Sequence, residues 1–251
     1  MIDVLNDYAD KSKTEFRQYL DKSIKESIRF KKAYSDLDYE HDYNDIKKIL
    51  LLFNIESVRQ IDDRKRRFTF GRHKKENWSL EHIHAQHSEG LKTNEKIVEW
   101  LKAHIKSLQS IGGQDELISN MKQLVKSIEE NPKTPKVRER FEPMQQQVVI
   151  VLSPKGEDSE YIHLLPNMAL LSSGQNSAIS NYTFDAKRNL ILEMDKNGSY
   201  IPFCTKMVFL KYYSSEDTNL HFWGKNDRDA YFKAFEKVLE SYLISEKQVN
   251  E

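Results

Sequence analysis

Apolar side chains spaced three or four residues apart dominate the first half of this chain. Phe16, Leu20, Ile24 and Ile28 make one stripe; Tyr43, Ile46, Ile49, Leu50 and Phe53 make a second. Such spacing lines one face of a helix, so both segments are predicted to be amphipathic helices. Asn94 to Leu108 carries Ile97, Leu101, Ile105 and Leu108 on one face. Leu117, Met121, Leu124 and Ile128 form the next, with Asp115 placed to cap it and Asn131-Pro132 to stop it. Pro132 to Pro135 reads as a connector. A last helix is predicted from about Asp227, burying Tyr231, Phe235, Val238, Leu239 and Tyr242. Spaced aliphatics of this kind build a scaffold and say little about chemistry.

Two stretches break the helical period. Residues 67–83 (RFTFGRHKKENWSLEHI) hold short aromatic and β-branched runs around a glycine, which suits strands and a turn. Residues 146–171 (QQVVIVLSPKGEDSEYIHLLPNMALL) read as strand, acidic loop, strand. Helix returns from about Asn176 to Asp195, with Asn197-Gly198 as its stop. The expected class is α+β: a mostly helical body around a small strand-strand-helix unit.

Composition removes several function classes. Twelve Phe, twelve Tyr and three Trp supply a core although 31% of residues are charged, so the chain is expected to fold. No apolar run approaches the ~18 residues of a membrane span. The acidic start MIDVLNDYAD does not read as a signal peptide, so a soluble, cytoplasmic protein is expected. The single cysteine, Cys204, excludes an intramolecular disulfide and a multi-cysteine zinc site. The eight glycines never take the spacing of a phosphate-binding loop, and no serine elbow is present. With 39 basic and 39 acidic residues the chain is not a globally basic nucleic-acid binder.

Locally it is basic. Arg64, Lys65, Arg66, Arg67, Arg72, Lys74 and Lys75 fall in a run without an acid. Such a segment can hold a phosphate backbone; charge alone leaves a solvated basic loop equally open. Glu81-His82-Ile83-His84 follows, with His87 close behind. An acid next to a histidine at a strand end can divide two tasks, the carboxylate holding a hard cation and the neutral imidazole taking a proton from water. A partly buried histidine with a hydrogen-bonded partner is the plainer reading of those residues by themselves.

Asn167 and Asn176, nine residues apart around the Leu170-Leu171 pair, change the balance. With Glu81-His82 they resemble the HNH branch of the His-Me finger nucleases, in which an acid-His pair ends one strand, an Asn opens the next segment and an Asn or His follows nine residues later at a helix start. The run L-x-N-x-x-L-L, then N-x4-N-x2-F-x2-K-R from Asn176 through Asn181 and Phe184 to Lys187-Arg188, is similar to the C-terminal domain of GmrSD-type restriction endonucleases. So are RFTFGRHKKENWSLEHIHAQ and GSYIPFCTKMVFLKYY, and the likeness spans roughly residues 45–245, weakest across 91–143. Ser172 and Gln175 stand where zinc-ribbon members carry cysteines, so no structural zinc is expected. Glu81 stands where many members have Asp, and Ala85 where a Pro is common.

The resemblance implies a metal-dependent endonuclease acting on DNA, in restriction of foreign or modified DNA. His82 would be the general base, with Asn167 orienting the connection. Glu81 and Asn176 would hold one Mg2+ or Mn2+. Arg66, Arg67, Arg72, Lys74, Lys75, Lys187 and Arg188 would contact nucleic acid. His84, His87 and His163 would be peripheral or structural. The implied organisation is an N-terminal helical segment over 1–60, an HNH-like unit over 61–200 with a helical insertion at about 91–143, and a C-terminal packing segment over 201–251. Nothing in residues 1–60 resembles the nucleotide-dependent domain many such proteins carry, so the resemblance leaves open a nuclease half served by a separate nucleotide-dependent domain or subunit, or a shortened chain. A catalytically silent nucleic-acid-binding or assembly subunit, or an RNase, is the alternative.

Overall fold

The computed structural model describes residues 10–61, 67–84, 91, 93–154, 160–179, 182–214 and 220–243. The class is α+β, mostly helix, with one two-stranded antiparallel sheet among the described residues. No helix among the described residues is long and apolar enough to cross a membrane.

The first two helical stripes form α1 (Lys13–Ser27) and α2 (Tyr43–Ile61). A capping box starts α1: Glu15 N–H donates to Ser12 Oγ and Ser12 N–H to the Glu15 carboxylate. Ile46, Ile49, Leu50 and Phe53 of α2 are buried. A short α3 (Phe70–Lys75) precedes β1 (Trp78–His82). The helices α4 (Asn94–Ile111), α5 (Asp115–Glu130) and α6 (Val137–Val151) pack against one another. After 3-10 turns at Glu160–His163 and Leu165–Asn167 come β2 (Met168–Ser172), α7 (Ser173–Ile179), α8 (Phe184–Lys196), α9 (Phe203–Phe209) and α10 (Lys225–Leu239).

Four local expectations are corrected. Residues 146–151 belong to helix α6, not to a strand. Val137, Phe141 and Val148 are buried while Ile150 is 70% exposed, a helical period that overrides the β-branched run. Phe70–Lys75 is a helical turn instead of a first strand, held by Arg72 and His73 N–H groups donating to Thr69 O. Residues 160–167 are 3-10 turns, so the second strand is shorter than expected. Asp115 is the first residue inside α5 and not its cap; there its charge sits at the positive end of the helix.

β1 and β2 pair in the register Trp78↔Ser172, Leu80↔Leu170 and His82↔Met168. Alternate residues of β1 face opposite sides. Ser79 and Glu81 reach α7 and α8, whereas His82 reaches the segment before α2. Both α2 and α7 pack on the strands. Apolar side chains from Ile28 to Tyr242 join one cluster around this layer. The inserted helices are tied into it. On α4, Trp100 and His104 are buried and stacked, His104 Nδ1–H donates to Trp100 O at 2.8 Å, and Thr183 N–H donates to His104 Nε2 at 3.2 Å.

Candidate active site

The three sequence motifs lie along one strand pair and its helix: Glu81-His82 at the end of β1, Asn167 just before β2, and Asn176 in α7. Asn167 is fully buried at the mouth of β2. Its Oδ1 accepts from His84 N–H at 3.0 Å, and its Nδ2 donates to His84 O and Ile162 O, both at 2.8 Å. Because Ile83 N–H also donates to Asn167 O at 2.8 Å, the chain leaving β1 is fastened to the chain entering β2. That fixes the backbone on the C-terminal side of His82.

Asn176 is the fourth residue of α7, which starts as soon as β2 ends. Its Nδ2 donates to Ser79 Oγ at 2.9 Å and to Leu80 O at 2.8 Å. Among the described residues its Oδ1 is buried without a hydrogen-bond partner, an arrangement that calls for a cation or donor. Glu81 lies two residues beyond Ser79 on the same face of β1, about 7 Å along the strand. Carboxylate and amide oxygens suit a hard divalent cation, and Glu81 and Asn176 offer one of each on this face of β1.

A protein cation already engages Glu81. Lys187, on α8, places its Nζ against the Glu81 carboxylate and donates to His82 O at 2.6 Å. Burial pushes the Glu81 carboxyl up, and the Lys187 charge works against that shift. The expectation that Lys187 faces a DNA phosphate therefore does not hold: its side chain is 0% exposed and its charge is spent on Glu81. The sequence carries no mark of this, since a lysine on a helix is usually solvated.

His82 is partly buried on the opposite side of β1. Its Nε2 lies 3.2 Å from His163 Nδ1, and its ring centroid is 4.6 Å from that of Tyr39. Burial, together with the Lys187 and His163 charges, lowers its pKa to about 4. His84 is buried behind it, with its pKa likewise lowered to about 4, chiefly by desolvation. Sequence reading left Tyr39 unremarked and His163 as structural. Among the described residues, Asp38, Glu40 and His41 are the one trio of acid or imidazole side chains whose ligand atoms lie within 4.8 Å of one another. Asp38 Oδ1 is already bonded to Glu40 N–H and His41 Nδ1.

The basic residues divide into two places. Arg67, Arg72, Lys74 and Lys75 are exposed. Arg67 and Arg72 line a cleft of about 360 Å³ with Phe68, Tyr200 and Lys206, where the Arg72 guanidinium lies 5.8 Å from the Tyr200 ring centroid. Arg188 lines a separate cleft of about 600 Å³ with Lys106, Lys196 and His221. Arg64, Lys65, Arg66, Ala85, His87 and Asn181 lie outside the described residues.

A protein-family model described as GmrSD restriction endonucleases, C-terminal domain, matches residues 153–226. The resemblance is borne out over that stretch, which holds Asn167, Asn176, Lys187 and Arg188 and is narrower than the span of 45–245 expected from the motifs. Glu81 and His82 lie outside it and reach it through the pairing of β1 with β2. Comparison with curated proteins and with solved structures gave no match.

Proposed function

We propose that this chain is a metal-dependent HNH-type endonuclease that hydrolyses DNA phosphodiester bonds in restriction of foreign or modified DNA. The observation that carries this reading is the double fastening of Asn167 to His84 and Ile162, which pins the end of the Glu81-His82 strand beside the helix bearing Asn176. The match to a restriction-endonuclease domain over residues 153–226 supports it independently.

In this reading neutral His82 takes the proton of the attacking water. Its lowered pKa keeps it unprotonated at pH 7. Glu81 and Asn176 would hold a Mg2+ or Mn2+ ion in place of the Lys187 ammonium now on the Glu81 carboxylate, and the ion would neutralise charge on the scissile phosphate and favour departure of the 3′ oxygen. Asn167 holds the backbone so that the His82 ring keeps its direction. Arg67, Arg72, Lys74 and Lys75 bind the flanking backbone, and Arg188 extends that contact on the other side of α8. Lys187 has no place among the DNA contacts. A separate nucleotide-dependent partner would select the target.

The test is plasmid nicking with magnesium or manganese, with and without a nucleotide-dependent partner of the restriction type. The parent protein should nick DNA, and His82→Ala should lower the rate at least ~100-fold with DNA affinity unchanged, the usual scale for loss of a general base. DNA binding without nicking under any of these conditions would instead favour a silent binding subunit, and preference for RNA an RNase.

A further inference from the structure

We propose that His163 is the positioning residue of His82: it accepts the His82 Nε2–H, fixing the ring tautomer so that His82 Nδ1 is the nitrogen offered to water. This rests on the reading of His82 as general base. It adds a residue to which the family resemblance gave only a structural part.

The contact is built from both sides. His163 Nδ1 lies 3.2 Å from His82 Nε2, and the rings meet edge to face at 83° with centroids 5.2 Å apart. A neutral imidazole has one N–H and one bare nitrogen, and the bond made by one nitrogen decides the state of the other. A base needs a bare nitrogen toward its water. With Nε2 engaged by His163, that nitrogen is Nδ1, which requires His82 to donate and His163 to accept.

The remaining walls hold His163 in place. Tyr39 N–H donates to His163 O at 2.8 Å, Asp38 forms a β-bridge with Leu164, and Leu165 N–H donates to Leu37 O at 3.1 Å. Segment 37–39 is therefore laced to segment 163–165, and the Tyr39 ring closes on both imidazoles, 4.6 Å from His82 and 6.2 Å from His163. His163 lies four residues before Asn167, whose side chain ties Ile162 to His84. One short turn thus fixes the backbone after His82 through Asn167 and the ring of His82 through His163. A base oriented by a third group is the arrangement that proton abstraction calls for.

The experiment compares the parent, His163→Ala, His163→Asn and His82→Ala. The asparagine oxygen falls near the place of the lost Nδ1 and can accept the same bond. Long-range 1H–15N spectra at pH 7.5 report the His82 tautomer without any need for activity. The parent should show Nε2 protonated and Nδ1 bare. His163→Ala should show both tautomers, and His163→Asn should return to the parent pattern. In the nicking assay His163→Ala should lower kcat roughly ten- to a hundredfold, the scale found when an orienting partner is removed. KM should stay unchanged, and His163→Asn should recover most of the rate. An unchanged tautomer in His163→Ala, or a parental kcat, overturns the inference. Should His82→Ala cut like the parent, the assignment of the base fails instead, while the spectra still decide whether His163 sets the tautomer. If His163→Ala does not fold, His163→Asn against the parent carries both readouts, and an Nδ1-protonated His82 in either protein refutes the proposal.

Discussion

Lys187 and Glu81 form an ion pair with both side chains sealed from solvent, 0% and 4% exposed, although they stand on different elements and far apart in sequence. The pair joins α8 to β1 beneath the proposed base. Two opposite charges buried together are tolerable; one left alone is not. Lys187→Met should destabilise the fold by about 3–5 kcal/mol, the range for removing one partner of a buried pair. Combining it with Glu81→Leu should recover most of that loss while abolishing nicking, since the proposed cation ligand goes with it. Urea unfolding of the two variants checks the first part. A Lys187→Met variant as stable as the parent would show that Glu81 is neutral in the fold.

The acid limb of the cleavage profile should lie far below that of a free histidine. Imidazole ordinarily titrates near pH 6.5, whereas His82 is held to about 4 by burial and by the charges of Lys187 and His163. The base therefore stays neutral between those values. Single-turnover rates, corrected for the folded fraction, should be nearly flat from pH 8 to below pH 6. A halving centred near pH 6.5 would show either that His82 is solvated during the reaction or that a proton on His163 has removed the acceptor that fixes the His82 ring.

The same sign governs stability at His104. Its pKa is lowered to about 3 because it is fully buried, while the Trp100 carbonyl opposes the shift. Its Nε2 can accept from Thr183 only when bare. Below about pH 6.5 the unfolded chain takes up a proton at this residue and the folded chain does not, so acidification favours unfolding. This contribution is whole above pH 6.5 and diminishes as the pH falls toward 3. Melting temperature should drop through that window, and the His104 ring resonances should not titrate there before unfolding. A His104 resonance that titrates near pH 6.5 in the folded state would refute the burial.

How much of this was legible depends on the kind of signal. The stripes of α2, α4, α5 and α10 repeat over several turns, and the register of core side chains follows them. Glu81-His82, Asn167 and Asn176 stand out in the sequence only through the family resemblance, and the structure places them at a strand end, just before a strand and in the helix that follows it. The strand expected at 146–151 failed because Val148, Val149, Ile150 and Val151 favour strand locally, while Val137, Phe141 and Val148 set a helical face against the neighbouring helices. Lys187, His163 and Tyr39 acquire their parts only through contacts across the fold, to Glu81 in one case and to His82 in the others. Periodicity is silent about such partners, and composition assigns a helical lysine to the surface.

Binding should separate from cutting at the basic helix. Arg72, Lys74 and Lys75 are exposed on α3, on the opposite end of β1 from His82. None of them bonds to Glu81, His82, Asn167 or Asn176, so their removal leaves the proposed chemistry intact. Each phosphate contact made by such a cation releases counterions, so log K falls with log salt by roughly 0.9 per contact on duplex DNA. Replacing all three by glutamine should weaken DNA binding at low salt and flatten the salt slope by up to about 2.7. The single-turnover rate at saturating protein should change by less than about threefold, a transition-state difference of under ~0.7 kcal/mol. Gel shifts at four salt concentrations and one saturating nicking assay measure both quantities. A slope equal to that of the parent would assign the DNA contact to another surface, with the Arg188 cleft the first to examine. A lost saturating rate with an intact slope would mean that α3 positions the scissile strand instead of holding its flank.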